Sequence, residues 1–251
     1  MKHLINIMHR TAVIGILMIA MTAPALSQMD LKVGGGIGAA IPASDFGGTT
    51  LEYYSGTNYG LATGLNVHAK AKIGLSGFGL AGEVDYSSFD NTGNSEPGQG
   101  SVEITQSVMS IKVGPEFHFG IPAVPINPYI GANLALNRFS GETKFLGVSK
   151  VPSATYNVEE ATRLGLGLAV GAEVAVGPFL SLDFNISYNL MNIAGSEWED
   201  VNPSVNQRID SYLSLNDSSD PLYSAGSDSH FISNDRSIHS VLLTVSILFG
   251  L

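Results

Sequence analysis

Hydrophobic and polar residues alternate along the last stretch of the chain. Over residues 241–251 every second residue is apolar, and the residues between them are smaller or more polar on average. Successive side chains of a strand point to opposite faces, so this pattern predicts a β-strand with one apolar face. Such a face needs an apolar environment, which other parts of the chain or its surroundings must supply.

Seven earlier segments show the same alternation. They are separated by alternately long and short stretches, which contain the Gly, Pro, Asn and Ser residues typical of turns and loops. No helix is predicted after the N-terminal segment. The eight predicted strands are residues 31–41, 65–75, 78–88, 107–119, 128–138, 162–176, 180–190 and 241–251.

The N-terminal segment has the features of an export signal. Lys2 and Arg10 precede an apolar run, and a small-x-small cleavage site ends at Ser27. The run is shorter than the roughly 20 apolar residues that a membrane-spanning helix requires. We therefore expect residues 1–27 to be a signal peptide that is removed after export, and residues 28–251 to form a single domain.

The amino-acid composition excludes several classes of protein. Charged residues make up 14% of the chain, well below the roughly 25% of ordinary soluble domains. The chain has no Cys, which excludes a disulfide scaffold and a thiolate metal site. Its formal net charge of −10 argues against a nucleic-acid partner, because binding to phosphates requires a basic patch. After the signal no apolar run is long enough for a membrane helix, and closed barrels are the other structure that satisfies every backbone group in lipid.

The ordered pattern resembles the eight-stranded outer-membrane β-barrels of bacteria, the kind of barrel found in OmpA-type proteins. The resemblance covers essentially all of residues 28–251. It rests on the terminal strand, on residues 41–46 after the first strand and on residues 128–132 at the start of the fifth. The chain departs from the family in ending on Leu251, where Phe is usual. We expect no appended peptidoglycan-binding domain, because nothing follows the last strand.

This resemblance implies an all-β fold, an eight-stranded antiparallel up-and-down transmembrane β-barrel in the bacterial outer membrane. In such barrels short turns face the periplasm and long loops face the outside. The implied partners are outer-membrane lipid and the barrel-assembly machinery, which would engage the C-terminal strand. The sequence contains no phosphate-binding Gly-rich loop and no metal-ligand spacing, so it predicts no cofactor and no metal.

Alternation alone does not say which face meets lipid. A soluble barrel of the lipocalin type would turn its apolar face inward, whereas a membrane barrel turns that face outward. Two features favour the membrane barrel. The polar face is rich in Gly and Ala, which suits a crowded interior, and aromatic residues occur at the strand ends on the apolar face. The predicted aromatic girdles are Phe78, Phe117, Phe119 and Phe249 near the short turns, and Tyr86 and Tyr188 near the long loops.

The polar face predicts a lumen with a balanced set of charges. Charges held in a narrow interior are costly unless they are paired, so the balance favours a closed, salt-bridged lumen. A water-filled pore lined by the same residues is the alternative. The predicted lumen charge network consists of Lys32, Lys70, Lys72, Lys112, Arg163, Glu83, Asp85, Glu116, Glu173 and Asp183.

Turn lengths predict the register of several of these charges. A two-residue turn between the second and third strands pairs Lys70 with Glu83. The short turn after the sixth strand places Glu173 opposite Asp183, where two carboxylates should not both ionise without a nearby cation. Our hypothesis is that Lys72 bridges these two acids and helps to block the lumen.

The sequence does not predict a catalytic or metal site. The nearest candidate is the loop triplet Asp228-Ser229-His230, whose residue types serve catalysis near the outer rim of some barrel enzymes. Their adjacency in a polar loop is not diagnostic. The last loop is long and acidic but lacks the spacing of a calcium loop. The sequence therefore favours a barrel that is not an enzyme and has a structural or surface-interaction role in the cell envelope. A small porin-like channel for passive solute passage is the alternative.

Overall fold

The computed structural model describes most of the chain after the predicted signal peptide. Ser76, Leu251 and the triplet Asp228-Ser229-His230 lie outside the described residues, as does the signal peptide, so statements about them stay predictions. The described residues are 30–75, 77–121, 124–149, 151–199, 212–221, 232 and 234–250.

Eight antiparallel strands form a closed barrel in which sequence neighbours pair and the first strand pairs with the last. The predicted eight-stranded up-and-down barrel is confirmed. We call the end that carries the short turns the inner end, and the opposite end the outer end. The strands are β1 (Asp30–Ser44), β2 (Gly64–Leu75), β3 (Phe78–Gly93), β4 (Ser101–His118), β5 (Ile126–Leu146), β6 (Ala154–Ala175), β7 (Leu180–Ala194) and β8 (Ile238–Gly250).

The apolar face points outward over the section near the inner end. There the side chain of Leu80 is 47% exposed, whereas Lys70 and Lys72 point inward and are only 5% exposed. This direction is the one that a membrane barrel requires, because its outer wall contacts lipid. The alternative of a soluble barrel with an apolar interior in this section is therefore wrong.

A short helix, α1 (Thr50–Ser55), lies between β1 and β2. The sequence predicts no helix there, and that prediction is wrong. Thr49 and Glu52 form a capping box, in which each side chain accepts a hydrogen bond from the other residue's backbone N–H, and Gly56 ends the helix with φ 76°. The helix is too short to show hydrophobic periodicity, so only its cap could have revealed it. No helix in the described part of the chain has the length and apolar character to cross a membrane.

The strands extend further at the outer end than the sequence predicts. The sequence predicts loops at residues 89–106 and 139–161, but most of both segments is strand. The connections themselves are only residues 94–100 and 147–153. The prediction of long second and third outer loops is therefore wrong.

The sequence does not predict the outer parts of these strands, because the apolar residues change from the outward face to the inward face along each strand. In β4, Met109 and Ile111 point outward into the apolar wall. Further toward the outer end, Val102 and Ile104 point inward and are buried, while Glu103 between them is exposed. A pattern with apolar residues outside therefore gives way to one with apolar residues inside. We call this change the inversion of the strands.

Four strands rise beyond the closed ring and form what we call the outer sheet. β3 pairs with β2 only as far as Ser88, and β6 pairs with β7 only as far as Leu164. Beyond these positions β3, β4, β5 and β6 continue to pair with one another. The outer sheet is thus an open sheet that stands on a closed barrel.

The lipid-facing wall generates the first testable prediction. Leu168 points outward near the middle of β6, so Leu168→Arg should cost about 2–4 kcal/mol of folding free energy in lipid vesicles. Val176 lies on the same line of outward side chains but at the inner end, where Val176→Arg should cost about 0–1 kcal/mol. Urea titrations of the refolded variants measure both values. Equal costs at the two positions would contradict the assignment of a membrane wall.

Candidate functional site

The structure divides the predicted lumen charges into three groups. One group forms a connected set of ion pairs across the middle of the barrel, which we call the charge lattice. Lys32 and Glu173 form a separate ion pair near the inner end, and Arg163 lies at the outer end. The charge lattice consists of Lys70, Lys72, Lys112, Glu83, Asp85, Glu116 and Asp183.

Asp183 holds together the inner half of the charge lattice. Its carboxylate lies 3.1 Å from the ammonium of Lys70 and 3.2 Å from that of Lys72, and it accepts a hydrogen bond of 2.8 Å from the Tyr129 hydroxyl. Asp183 itself is fully buried. A buried carboxylate is tolerated when cations and hydrogen-bond donors surround it, and here both lysines and the phenol do so.

The outer half of the charge lattice continues along neighbouring strands. Lys70 is cross-strand partner to Glu83, as the two-residue turn predicts, and the ion pair measures 3.2 Å. Lys112 then lies 3.2 Å from Glu83 and 2.7 Å from Asp85. The Asn66 amide donates to Asp85 at 3.0 Å. Acids and bases therefore alternate from the inner half of the lumen toward the outer end.

The hypothesis that Lys72 bridges Glu173 and Asp183 is only half right. Glu173 does lie opposite Asp183 in the register, and Lys72 reaches Asp183. Its second partner is Glu116 at 3.1 Å, whereas Glu173 pairs with Lys32. Turn length fixes neighbours within a strand pair, but contacts across the lumen also depend on the stagger of the strands around the ring.

Tyr129 is a lumen residue that the sequence did not single out. Its ring lies below the ammonium of Lys72, 4.0 Å from the ring centroid, and its hydroxyl accepts from Asn185 at 2.9 Å. The ring fits against the wall because residue 171 is Gly: a Cβ there would lie 2.4 Å from the Tyr129 ring. Gly171 therefore leaves room for an aromatic side chain that crosses the lumen.

Among the described residues, the lumen opens at its inner end. A cavity of about 350 Å³ there is lined by Lys32, Lys72, Glu116, His118 and other residues. Above it, cavities of about 40 Å³ and 10 Å³ remain between the lattice side chains. Among the described residues no three His, Asp or Glu side chains are grouped to hold a metal ion.

An apolar cluster fills the barrel at the outer end, and we call it the outer cap. Inward side chains of the outer sheet meet side chains from α1 and from the connection between β7 and β8. All are buried. The members that the argument uses are Phe46, Tyr53, Tyr54, Tyr59, Phe89, Phe139, Phe145, Tyr212 and Leu215.

Hydrogen bonds from tyrosine hydroxyls connect the parts of the outer cap. Tyr59 donates to the backbone oxygen of Leu215 at 2.7 Å, and Tyr212 donates to that of Tyr54 at 2.6 Å. Burial raises the pKa of Tyr53 to about 12, so its hydroxyl stays protonated in a hydrogen bond of 2.7 Å with Thr143. These bonds link the first and last outer connections to each other and to the outer sheet.

Arg163 anchors the outer cap through Asp217 instead of joining the charge lattice. Its guanidinium lies 2.9 Å from Asp217 and 3.0 Å from Glu197. Burial acts to raise the pKa of Asp217, but hydrogen bonds from Arg163 and Asn192 outweigh it and hold that pKa below its usual range. The prediction that Arg163 belongs to the lumen network is therefore wrong, because β6 carries this residue beyond the lattice.

The six predicted girdle aromatics all lie on the outside wall. Phe78 and Phe117 pack edge to face with ring centroids 5.2 Å apart near the inner end. Midway along β3, the Tyr86 hydroxyl lies 2.7 Å from Ser107. All six side chains, Phe78, Phe117, Phe119, Phe249, Tyr86 and Tyr188, are exposed.

The charge lattice generates the second prediction. Lys72→Met keeps the length of the side chain but leaves Asp183 and Glu116 with one cation fewer inside the barrel. Breaking a buried ion pair in this way should cost about 3–5 kcal/mol of unfolding free energy. Lys144→Met is the matched control, because Lys144 pairs with Glu103 on the exposed surface and should have little effect. An equally small effect of both substitutions in urea titrations would contradict the lattice.

The third prediction concerns pH. Because the pKa of Asp217 is depressed in the folded protein, its stabilising effect is complete above the ordinary pKa of about 3.9 and is lost as pH falls through the lower folded value. Trp198, the sole tryptophan, is close in sequence to Glu197 and reports on this connection. Its emission should shift to the red below about pH 4. Asp217→Asn should produce the shift at neutral pH, whereas Glu142→Gln on the exposed face should not.

Solved structures similar to this chain are outer-membrane proteins. Neisserial surface protein A aligns at 18% identity over 88% of this chain and 97% of its own, with a TM-score of 0.49. A major outer membrane protein from Thermus thermophilus aligns at 17% identity over 88% and 99%, also with a TM-score of 0.49. OprG from Pseudomonas aeruginosa aligns at 8% identity over 88% and 95%, with a TM-score of 0.41.

The family assignment comes from a comparison of sequences. No curated protein sequence matches the chain. The family model described as the outer membrane protein β-barrel domain matches residues 12–207, which is most of the chain. With its closed ring of eight strands and its apolar outer wall, the chain belongs to this family of outer-membrane β-barrels.

Proposed function

We propose that the protein is a closed, non-catalytic barrel that presents its outer sheet as an interaction surface. The observation that carries this proposal is the free edge of β6. From residue 163 back to residue 154, β6 pairs with β5 and with no other described strand. An unpaired strand edge offers a row of N–H and C=O groups to an added strand.

The most accessible part of this edge is residues 154–158. On one side it ends near Pro152, which cannot donate a hydrogen bond. On the other side the register shifts at Glu159 and Glu160, where two residues of β6 face one residue of β5. Proline, charge and bulges are the usual protections of strand edges, and the window between them has none. It is therefore the place where a partner strand could pair.

The closed lumen supports an interaction role over transport. The charge lattice leaves only small cavities in the middle of the barrel, and the outer cap fills the mouth above it. A solute that entered the inner cavity would meet the buried ion pairs around Asp183. An eight-stranded barrel has just enough interior for its side chains, which is consistent with a sealed lumen.

The charge of the outer end indicates the chemistry of a partner. Acidic side chains clearly outnumber basic ones among the described residues there, so an extended segment rich in Lys or Arg would be attracted. The acids are Asp45, Glu52, Asp90, Glu96, Glu103, Glu142, Glu159, Glu160, Glu197, Glu199, Asp217, Asp220 and Asp235, against Arg138, Lys144, Arg163 and Arg236.

Export and assembly are part of the same proposal. The features of residues 1–27 support removal of a signal peptide near Ser27. The barrel-assembly machinery would engage β8, which must find β1 before the ring can close. Lipid then surrounds the apolar wall.

The fourth prediction tests the free edge. A fluorescent peptide of alternating lysine and valine should bind the refolded barrel saturably, and its glutamate counterpart should not. Successive N–H groups of a strand point to opposite sides, so only one of Asn157 and Val158 directs its N–H to the free edge. Asn157→Pro and Val158→Pro should therefore differ, one abolishing binding measured by fluorescence anisotropy. Unchanged binding in both variants would contradict strand addition at this edge.

A conductance measurement distinguishes the proposed closed barrel from the alternative, a small porin-like channel. The wild-type barrel in a planar lipid bilayer should show no current steps above those of the lipid alone. Regular steps that persist in the intact protein would favour the small porin-like channel, with the inner cavity as its vestibule.

A further inference from the structure

A groove crosses the outside wall where β6, β7 and β8 meet. Its volume is about 590 Å³, and it lies within the section whose outward face is apolar. The outward side chains that line it are Val170, Ala172, Phe184, Ile186, Leu243 and Val245.

The groove forms because Ala172 is a small residue among larger ones. Ala172 pairs with Phe184, and Phe184 pairs with Val245 on the next strand. Along this row the methyl group of Ala172 is much shorter than the side chains beside it. Branched and aromatic side chains on either side therefore stand as walls above a low floor.

The wall above the groove carries a polar pair at the outer end. The next outward residue on β7 after Ile186 is Tyr188, and its hydroxyl lies 2.8 Å from Nδ1 of His239 on β8. When the phenol donates to Nδ1, the proton of the neutral imidazole lies on Nε2. Nε2 has no hydrogen-bond partner among the described residues, so it is free to donate to a group outside the barrel.

We propose that the groove and the Tyr188–His239 pair form a binding site for one lipid of the outer leaflet. An acyl chain lies in the groove across Ala172, and an oxygen of the lipid headgroup accepts a hydrogen bond from Nε2 of His239. The position supports this assignment, because the groove is in the membrane wall and its polar end is toward the outer end. A Tyr at this depth is common in aromatic belts, but a His beside it on the lipid-facing side is not.

A second copy of the chain fits the groove less well than a lipid does. In a two-fold dimer the same patch meets itself, so groove would face groove. Two facing concave surfaces leave a void, and voids lose the contacts that packed side chains would make. A flexible acyl chain has no such restriction.

The experiment measures lipid that stays bound after detergent extraction. The barrel is refolded into vesicles of phosphatidylethanolamine and phosphatidylglycerol that contain lipid A, extracted in mild detergent and examined by native mass spectrometry. The wild type should retain one lipid per barrel. Ala172→Phe fills the groove and should lose it, whereas Ala132→Phe, on the same wall but outside the groove, should retain it.

The headgroup contact is tested separately. His239→Phe keeps an aromatic ring but removes the donor, and should lower lipid retention on the order of tenfold, the value of one hydrogen bond. Which lipid is retained, lipid A or a phospholipid, identifies the headgroup. Retention by Ala172→Phe, equal loss in Ala132→Phe, or cross-linking of two barrels through the groove would each overturn the proposal.

Discussion

Closure of the ring is the constraint on which the rest of the molecule depends. In hydrocarbon each backbone N–H and C=O must find a partner within the protein, and the pairing of β1 with β8 leaves none of the eight described strands with an open edge in the membrane section. A ring of only eight strands is narrow, so its inward side chains meet across the lumen. Acidic and basic groups must then lie within bonding distance of each other, as Asp183 and its two lysines do.

Two chemically different fillings occupy this narrow interior. The charge lattice is held by electrostatic attraction among groups that have lost most of their water, and every cation in it contacts an acid. The outer cap is held by burial of aromatic side chains and by tyrosine hydroxyls that bond to backbone oxygens. The two fillings differ in what weakens them, because loss of a charged partner disrupts the charge lattice, whereas apolar burial in the outer cap responds to solvent and temperature.

Much of the barrel could be predicted because alternation and turn length are local properties. The cross-strand pairs Lys70–Glu83 and Glu173–Asp183 follow from counting back along short turns. The second partner of Lys72 could not be predicted, since contacts across the lumen depend on the stagger of all eight strands. The outer cap could not be predicted for another reason: alternation with outward apolar residues stops at the inversion, beyond which the apolar residues point inward.

The inversion also divides the protein into two parts with different solvents. In the membrane section the outward apolar side chains remain among lipid chains, so water has little part in holding that section together. In the outer sheet, residues such as Phe139 and Phe145 are buried away from water. Opening the outer sheet would expose them to water and so raise the heat capacity. The free energy of unfolding of the outer sheet therefore depends strongly on temperature, and it falls on cooling as well as on heating. One continuous strand such as β4 thus passes from a section stabilised in lipid to a section that behaves like a small water-soluble protein.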